Sequence, residues 1–300
     1  MKKTLHLLLP ILGLVGIGLL GCSQPKTTAE APSTFAVIET AKEPATVETE
    51  ESVPQGHFVT TPATQEKASL KVKFVLDGKA PKPTEVDGNN KDPICTQLEI
   101  LKEELIVGKG GEIKYIAMYL DTRSTDIDLP EFPVPEEKPV LDNKGCVFVP
   151  HVFKLRAGQV LTVKNSDAAG HNANFQFFNN DGVNMLVPAN NKKDMDKAKV
   201  AEPAPIPIEC NIHPHMRSYI IVTDHPYVGI SDEKGVLEIK DLPVGEVTFK
   251  IWHEHSVKSL DKGELNGEEE KWRRGQIEVE LTPGENDLGT IKFKRELFKD

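Results

Sequence analysis

The sequence predicts an all-β chain made of two β units, and three observations carry that expectation. Apolar residues alternate with polar ones, as in Leu70, Val72, Phe74 and Leu76 against Lys71 and Lys73, the period of a half-buried strand. Turn signals rich in Gly, Pro, Asn and Asp separate such runs, the pattern of antiparallel sandwiches built from short strands. A second meander of the same kind follows residue 225.

The chain begins with Lys2 and Lys3, then an apolar run from Leu7 to Leu20. That run is too short to span a bilayer as a mature helix and reads as a secretory signal. It ends Leu19-Leu20-Gly21-Cys22, which resembles a bacterial lipobox. That resemblance implies removal of residues 1–21 and lipidation of Cys22. Residues 22–68 are rich in Thr, Ala, Glu and Pro, with little apolar periodicity. Such a segment cannot bury enough surface to offset its ordering entropy, so it is expected to be a disordered tether with a reach of roughly 40 Å.

Residues 69–224 are expected to form the first domain. Its opening strand is the Leu70–Leu76 run, closed by the turn Asp77-Gly78-Lys79-Ala80-Pro81. Leu105–Val107 and Ile113–Leu120 read as strands joined by Gly108-Lys109-Gly110-Gly111. Pro130, Pro133, Pro135 and Pro139, set among acidic residues, make 121–145 an extended loop. Val147 to Leu155 and Gln159 to Lys164 read as strands, with His151 expected to be structural. Asn165-Ser166-Asp167 is a turn, and a further strand opens at His171. Residues 179–200 lack periodicity. Pro203, Pro205 and Pro207 make the approach to residue 210 an edge strand or an extended lead-in. Tyr219–Thr223 is a clear strand.

Residues 225–300 are expected to form the second, smaller β module. It holds Val228–Ile230, Val236–Ile239, Val247–Trp252, Ile277–Leu281 and Leu288–Phe293 as strands, with residues 256–274 as a charged loop. His253 and His255 can share one face of a strand end, which leaves a second metal site open, though a solvated His-Glu-His is the commoner outcome.

The chemistry concentrates in Glu209-Cys210-Asn211-Ile212-His213-Pro214-His215-Met216-Arg217. A thiol, an imidazole and a thioether recur here as Cys-x2-His-x2-Met. Soft sulfur with imidazole suits copper, and a type 1 site takes two His and one Cys with a weak axial Met. Cys-x2-His by itself is also half of a zinc site, but Met216 has no use there. The second His is found upstream, in His171-Asn172.

This constellation resembles the cupredoxins, amicyanin most closely. The resemblance implies a Greek-key sandwich holding copper through His171, Cys210, His213 and Met216. It makes Asn172 the residue that ties the two ligand loops together. It also implies an exposed Cys-to-Met loop, with electrons passing through the His213 edge. The sequence departs from the family at Ser218, at Ile208 and in the proline-rich lead-in, and His215 and His151 remain open as further ligands. The second module, through Asp232-Glu233 to Leu242-Pro243-Val244-Gly245, is similar to the regulatory-like β-sandwich modules of carboxypeptidases. The combination resembles methylamine-utilisation-like proteins.

Of the four cysteines, Cys22 goes to lipid and Cys210 to copper. Cys95 and Cys146 remain, and an even pair in an oxidising, exported compartment implies a disulfide. The expected function is a copper electron carrier, not an enzyme. It would be tethered to a bacterial membrane facing the periplasm or cell exterior, with redox proteins as partners. A copper-binding or protein-docking lipoprotein without redox turnover is the alternative. A copper oxidoreductase is disfavoured, because Glu209 and Asn211 stand where oxidases flank the ligand Cys with His. A formal charge of −10 disfavours nucleic acid as a partner.

Overall fold

The structure is a computed structural model that describes residues 66–86 and 92–299. The expected signal segment, Cys22 and the tether up to residue 65 lie outside the described residues. Among the described residues the regular elements are strands and short 3-10 turns, arranged in four sheets that make two β-sandwiches. The all-β expectation therefore holds.

The order of those sandwiches along the chain departs from the expectation. The strand Lys67–Asp77 buries Ala68, Leu70, Val72, Phe74 and Leu76, as its alternation requires. It does not, however, open the first domain. It runs antiparallel to Val236–Pro243 and parallel to Gly284–Lys294, between them in a five-stranded sheet. Ala117–Leu120 lies in the facing four-stranded sheet, between Val228–Ile230 and Gly245–Trp252. Leu70, Phe74 and Phe293 from one sheet share a core with Met118, Phe249 and Ile277 from the other. The expected 69–224/225–300 division is thus corrected. Residues 66–120 and 227–298 together build one sandwich, which we call the host, and the other sandwich is inserted between them.

The reason is pairing chemistry. Lys67–Asp77 is alternating and apolar on one face, so it fits a sheet wherever unpaired strands offer edges. Sequence order does not say which sheet that is.

The inserted sandwich packs a five-stranded sheet, in the order Val152–Arg156, Arg217–Thr223, Ile206–Glu209, His171–Phe175, Val183–Val187, against a second sheet. That second sheet is ordered Phe148–Val149, Val140–Asn143, Leu161–Asn165, Lys192–Met195. Leu141, Leu161, Val163, Phe175, Ile208 and Val222 fill the space between them. Three strands were unexpected: Val140–Asn143, Val183–Val187 and Lys192–Met195. Val140–Asn143 follows directly on Pro139 and runs parallel to Leu161–Asn165; its four residues are too few to stand out beside the prolines. Lys192–Met195 buries only Met195, so no alternation marks it. Ile206–Glu209 is not an edge strand either, since it pairs on both sides. Pro207 is tolerated because only Ile208 and Glu209 pair with His171–Phe175, while the Pro207 carbonyl still accepts from Gln176 N at 3.4 Å.

The charged segment 256–274 also carries structure. Lys262–Leu265 and Glu268–Lys271 form a hairpin on the host sheet. Its turn is Asn266-Gly267, both at positive φ, the two-residue turn whose backbone twist matches the strands it joins.

The sandwiches meet through Tyr119, Val152, Ile221 and Val228, with Tyr219 and Trp252 beside them. At the rim of that contact, the buried His151 ring bonds the Glu254 carboxylate through Nε2 and has Glu103 Oε2 at 3.6 Å from Nδ1. Both carboxylates belong to the host. Burial lowers the His151 pKa, but the Glu254 hydrogen bond and charge, with the charge of Glu103, together raise it above its ordinary 6.5. Its structural role agrees with the sequence expectation.

Replacing Glu254 with Ala leaves a buried imidazolium short of its main partner and is expected to cost ~3–5 kcal/mol. A folded pKa above the unfolded 6.5 means the pair contributes fully below that value and fades as pH rises through the folded pKa. The difference between wild type and variant in chemical denaturation should therefore be larger at acidic than at alkaline pH.

Candidate metal centre

The centre sits at one end of the inserted sandwich, where two strands end in loops. Leu161–Asn165 stops at Asn165, a 1 % exposed side chain whose Nδ2 donates to Ala169 O at 2.8 Å and Val187 O at 3.0 Å. Those bonds shape the turn that the Asn-Ser-Asp sequence signalled. The chain then re-enters the sheet as His171–Phe175, with His171 and Asn172 at its start.

On the neighbouring strand, Ile206–Glu209 runs directly into Cys210. The loop from Cys210 to Met216 closes on itself. Cys210 N donates to Met216 O at 3.2 Å, and Met216 N donates to His213 O at 2.9 Å. His213 N donates to the Cys210 sulfur at 3.4 Å.

The structure brings His171, Cys210 and His213 together: each offers a donor atom within 4.8 Å of the other two, and all three are buried. Cys210 Sγ is 3.8 Å from His213 Nδ1, and the two imidazole rings are 4.6 Å apart. Met216, 1 % exposed, packs in the same apolar cluster as Cys210.

His171 has a fixed tautomer. Its Nε2 lies 3.0 Å from Asp167 Oδ2, so Nε2–H donates and Nδ1 keeps its lone pair. That buried Nδ1 has no hydrogen-bond partner. Burial and the adjacent His213 push the His171 pKa below its ordinary value, against the pull of Asp167, so the ring is neutral at neutral pH. A neutral imidazole with one nitrogen oriented by a carboxylate and the other free is the state a metal ligand needs. These residues fit copper: a thiolate, two imidazoles and an apolar surround with a thioether in it.

Asn172 joins the two loops. Its Oδ1 accepts from Asn211 N at 2.8 Å and Ile212 N at 3.3 Å. Its Nδ2 donates to Asn184 Oδ1 at 2.7 Å and Asn211 Oδ1 at 2.8 Å. Sequence reasoning singled out Asn172 but not Asn184 or Asn211, and it read Asp167 only as part of the turn, although Asp167 reaches His171 four residues on.

One expectation is overturned. The His213 edge is not exposed: the residue is 1 % exposed. It lies beneath a 3-10 turn, Cys95–Gln97, carried by a host segment. Asp92 Oδ2 stands 3.8 Å from His213 Nε2, and the turn is tied down by a Cys95–Cys146 disulfide. The disulfide expectation holds, and the bond links the host to the inserted sandwich. The other described histidines offer no donor to this triad, although the His215 ring lies 6.1 Å from that of His213. His215 Nε2 bonds Cys146 O at 2.9 Å, and His151 is held in its carboxylate pair. His253 is not solvated: burial pushes its pKa down to about 3, against its bond to Lys114 O.

No protein-family profile matches the chain, and no curated protein matches it. Solved structures do match locally. A copper-containing nitrite reductase from Thermus scotoductus aligns at 16 % identity over 32 % of this chain and 24 % of its own, with a TM-score of 0.26. The chain thus spans about a quarter of that reductase's length. A purple cupredoxin from Nitrosopumilus maritimus aligns at 14 % identity over 29 % of this chain and 100 % of its own, with a TM-score of 0.24. A Cu(I) form of an amicyanin variant aligns at 17 % identity over 35 % of this chain and 97 % of its own, with a TM-score of 0.26.

Proposed function

We propose that this chain is a type 1 copper protein that carries single electrons between redox proteins, held at a bacterial membrane by a lipid on Cys22. The observation that carries the copper reading is the buried triad of His171, Cys210 and His213, with a His171 Nδ1 lone pair that meets no protein donor. Met216 would add a weak thioether donor. When bound, copper supplies one-electron exchange between Cu(I) and Cu(II). The chain supplies everything else. Asn172 pins both loops, so the donors keep one arrangement in either oxidation state. Burial keeps water from the donors.

Electron access in this reading lies beside the covered His213. Asn211 and Ile212 are exposed, Ile212 at 50 %, and each adjoins a proposed ligand. The membrane anchor rests on the Leu-Leu-Gly-Cys sequence alone, and the redox partners on the resemblance to carriers.

The test is reconstitution of the full chain with Cu(II), read by visible absorption and electron paramagnetic resonance. An intense thiolate band with one copper per chain is expected. Tight zinc binding with a colourless copper form would overturn the proposal. The burial of His213 favours a second reading, in which copper is held without redox turnover. Slow electron self-exchange in a blue protein would select it.

A further inference from the structure

We propose that Cys95 and Cys146, once their disulfide is reduced, form a second metal site that takes Cu(I) directly above the first. The disulfide sulfurs are not peripheral staples. Both cysteines are buried, and their sulfurs lie within 4.8 Å of each other and of a ring nitrogen of His171. Cys95 Sγ is also within 4.8 Å of an Asp92 carboxylate oxygen and a His213 ring nitrogen.

Local bonds shape the backbone on each side of the S–S link, and Cys95, Ile100, Cys146 and Ala169 pack as one buried cluster. On the Cys95 side, Asp92 Oδ1 accepts from Ile94 N at 2.8 Å and Cys95 N at 3.4 Å, and Asp92 O accepts from Thr96 N and Oγ1 at 3.0 Å each. On the Cys146 side, the Asp167 carboxylate accepts from Gly145 N at 2.6 Å and Cys146 N at 2.9 Å. Cys146 O meets His215 at 2.9 Å. Cys146 is held at φ +57°, a left-handed backbone that a non-glycine residue adopts only where its surroundings impose it. Asp167 is shared between Cys146 and His171, so one carboxylate orients a residue of both sites. Breaking the S–S bond therefore leaves two buried thiols packed against each other beside the first centre.

The chemistry balances with a dithiol as reductant. One thiolate of the dithiol attacks a disulfide sulfur, and the second resolves the mixed disulfide. Two electrons and two protons pass to Cys95 and Cys146, and the dithiol becomes its own disulfide. On metal binding, the two thiols release their protons to water. Two thiolates are soft donors suited to Cu(I), whereas the oxidised pair offers no thiolate; His171 stays with the first centre, because its Nε2–H is bonded to Asp167 and only Nδ1 carries a lone pair. The oxidised chain would thus hold one copper and the reduced chain two. This inference rests on the proposed function for the first copper, but not on its redox role.

The test titrates the full chain with Cu(I) under anaerobic conditions, against a chromogenic Cu(I) chelator, before and after reduction by a dithiol. Free thiols are counted in parallel. Reduction should add two thiols and one equivalent of bound Cu(I). Cu(I) should also protect Cys95 and Cys146 from alkylation, as read by peptide mapping of the wild-type chain, which needs no variant to fold. The Cys95→Ser, Cys146→Ser double variant should show no added equivalent while keeping its visible Cu(II) band. Two new thiols with no added copper and no protection would overturn the proposal. So would an added equivalent that persists in the double variant, or Zn(II) taken in preference to Cu(I). Failure of the first centre reads differently, as no visible band with Cu(II) before any reduction.

Discussion

A chain carrying Cys210→Ser is expected to lose its visible Cu(II) absorption completely. The band requires a thiolate bound to Cu(II), and a hydroxyl is a hard, neutral donor that does not supply it. Cys210 is the one described cysteine outside the disulfide, so no other described thiol stands in. Copper affinity should fall by more than the ~10–100-fold that loss of an outer-shell partner costs. The fold should survive. Serine is close to isosteric, and the cost of an incompletely bonded buried hydroxyl is ~1–3 kcal/mol. Far-ultraviolet circular dichroism, visible spectra and copper stoichiometry check the three statements. A variant that stays blue would remove Cys210 from the centre.

The second large effect concerns the host. A fragment of residues 225–300 by itself should not fold, although by sequence it reads as a complete module. It lacks Lys67–Asp77, whose Ala68, Leu70, Val72, Phe74 and Leu76 are each 0–4 % exposed between two strands of that module. Losing the burial of Leu70, Val72, Phe74 and Leu76 at ~1.5–3 kcal/mol each removes on the order of 10 kcal/mol, comparable to the ~5–15 kcal/mol total stability of a domain. It also opens two apolar strand edges.

A chain that joins residues 66–121 to 224–299 through a short linker should fold, because the insertion leaves and re-enters at one place. Tyr119 pairs with Val228, and Leu120 N donates to Tyr227 O at 3.1 Å. Dispersed amide resonances from the joined chain, and none from the 225–300 fragment, are the expected pair of results. A folded 225–300 fragment would contradict the discontinuous host.

Much of this was legible along the chain. Alternation placed Lys67–Asp77, because a strand with one buried face carries its period in its own residues, and a continuous β-prone run placed Arg217–Thr223, which is buried on both faces over Ile220–Thr223. Cys-x2-His-x2-Met was visible because those residues sit on one short loop, and the spacing alone brings Cys210 and His213 together. The His171-Asn172 pair was visible by its place after a strand and turn. The Asn266-Gly267 turn was equally readable, but the charged residues around it concealed the hairpin. Val183–Val187 was obscured by the exposed Leu186 on its outer face.

What the sequence by itself determined is therefore local: the all-β character, the strand periods, and a copper-type donor set on two loops. The cysteine pairing also followed from the sequence, by elimination. Only the tertiary structure decided which sheet each strand joins and what lies over the centre. The Lys67–Asp77 pattern is satisfied by any open edge, and the edges on offer are created by strands more than 150 residues away. Asp92 and Cys95 reach His213 for the same reason. A host loop and an inserted loop meet because two sandwiches pack through Val152, Ile221 and Val228, a contact no local spacing encodes. That packing buries the imidazole edge that the resemblance placed in solvent, and sets a disulfide within ligand distance of His171.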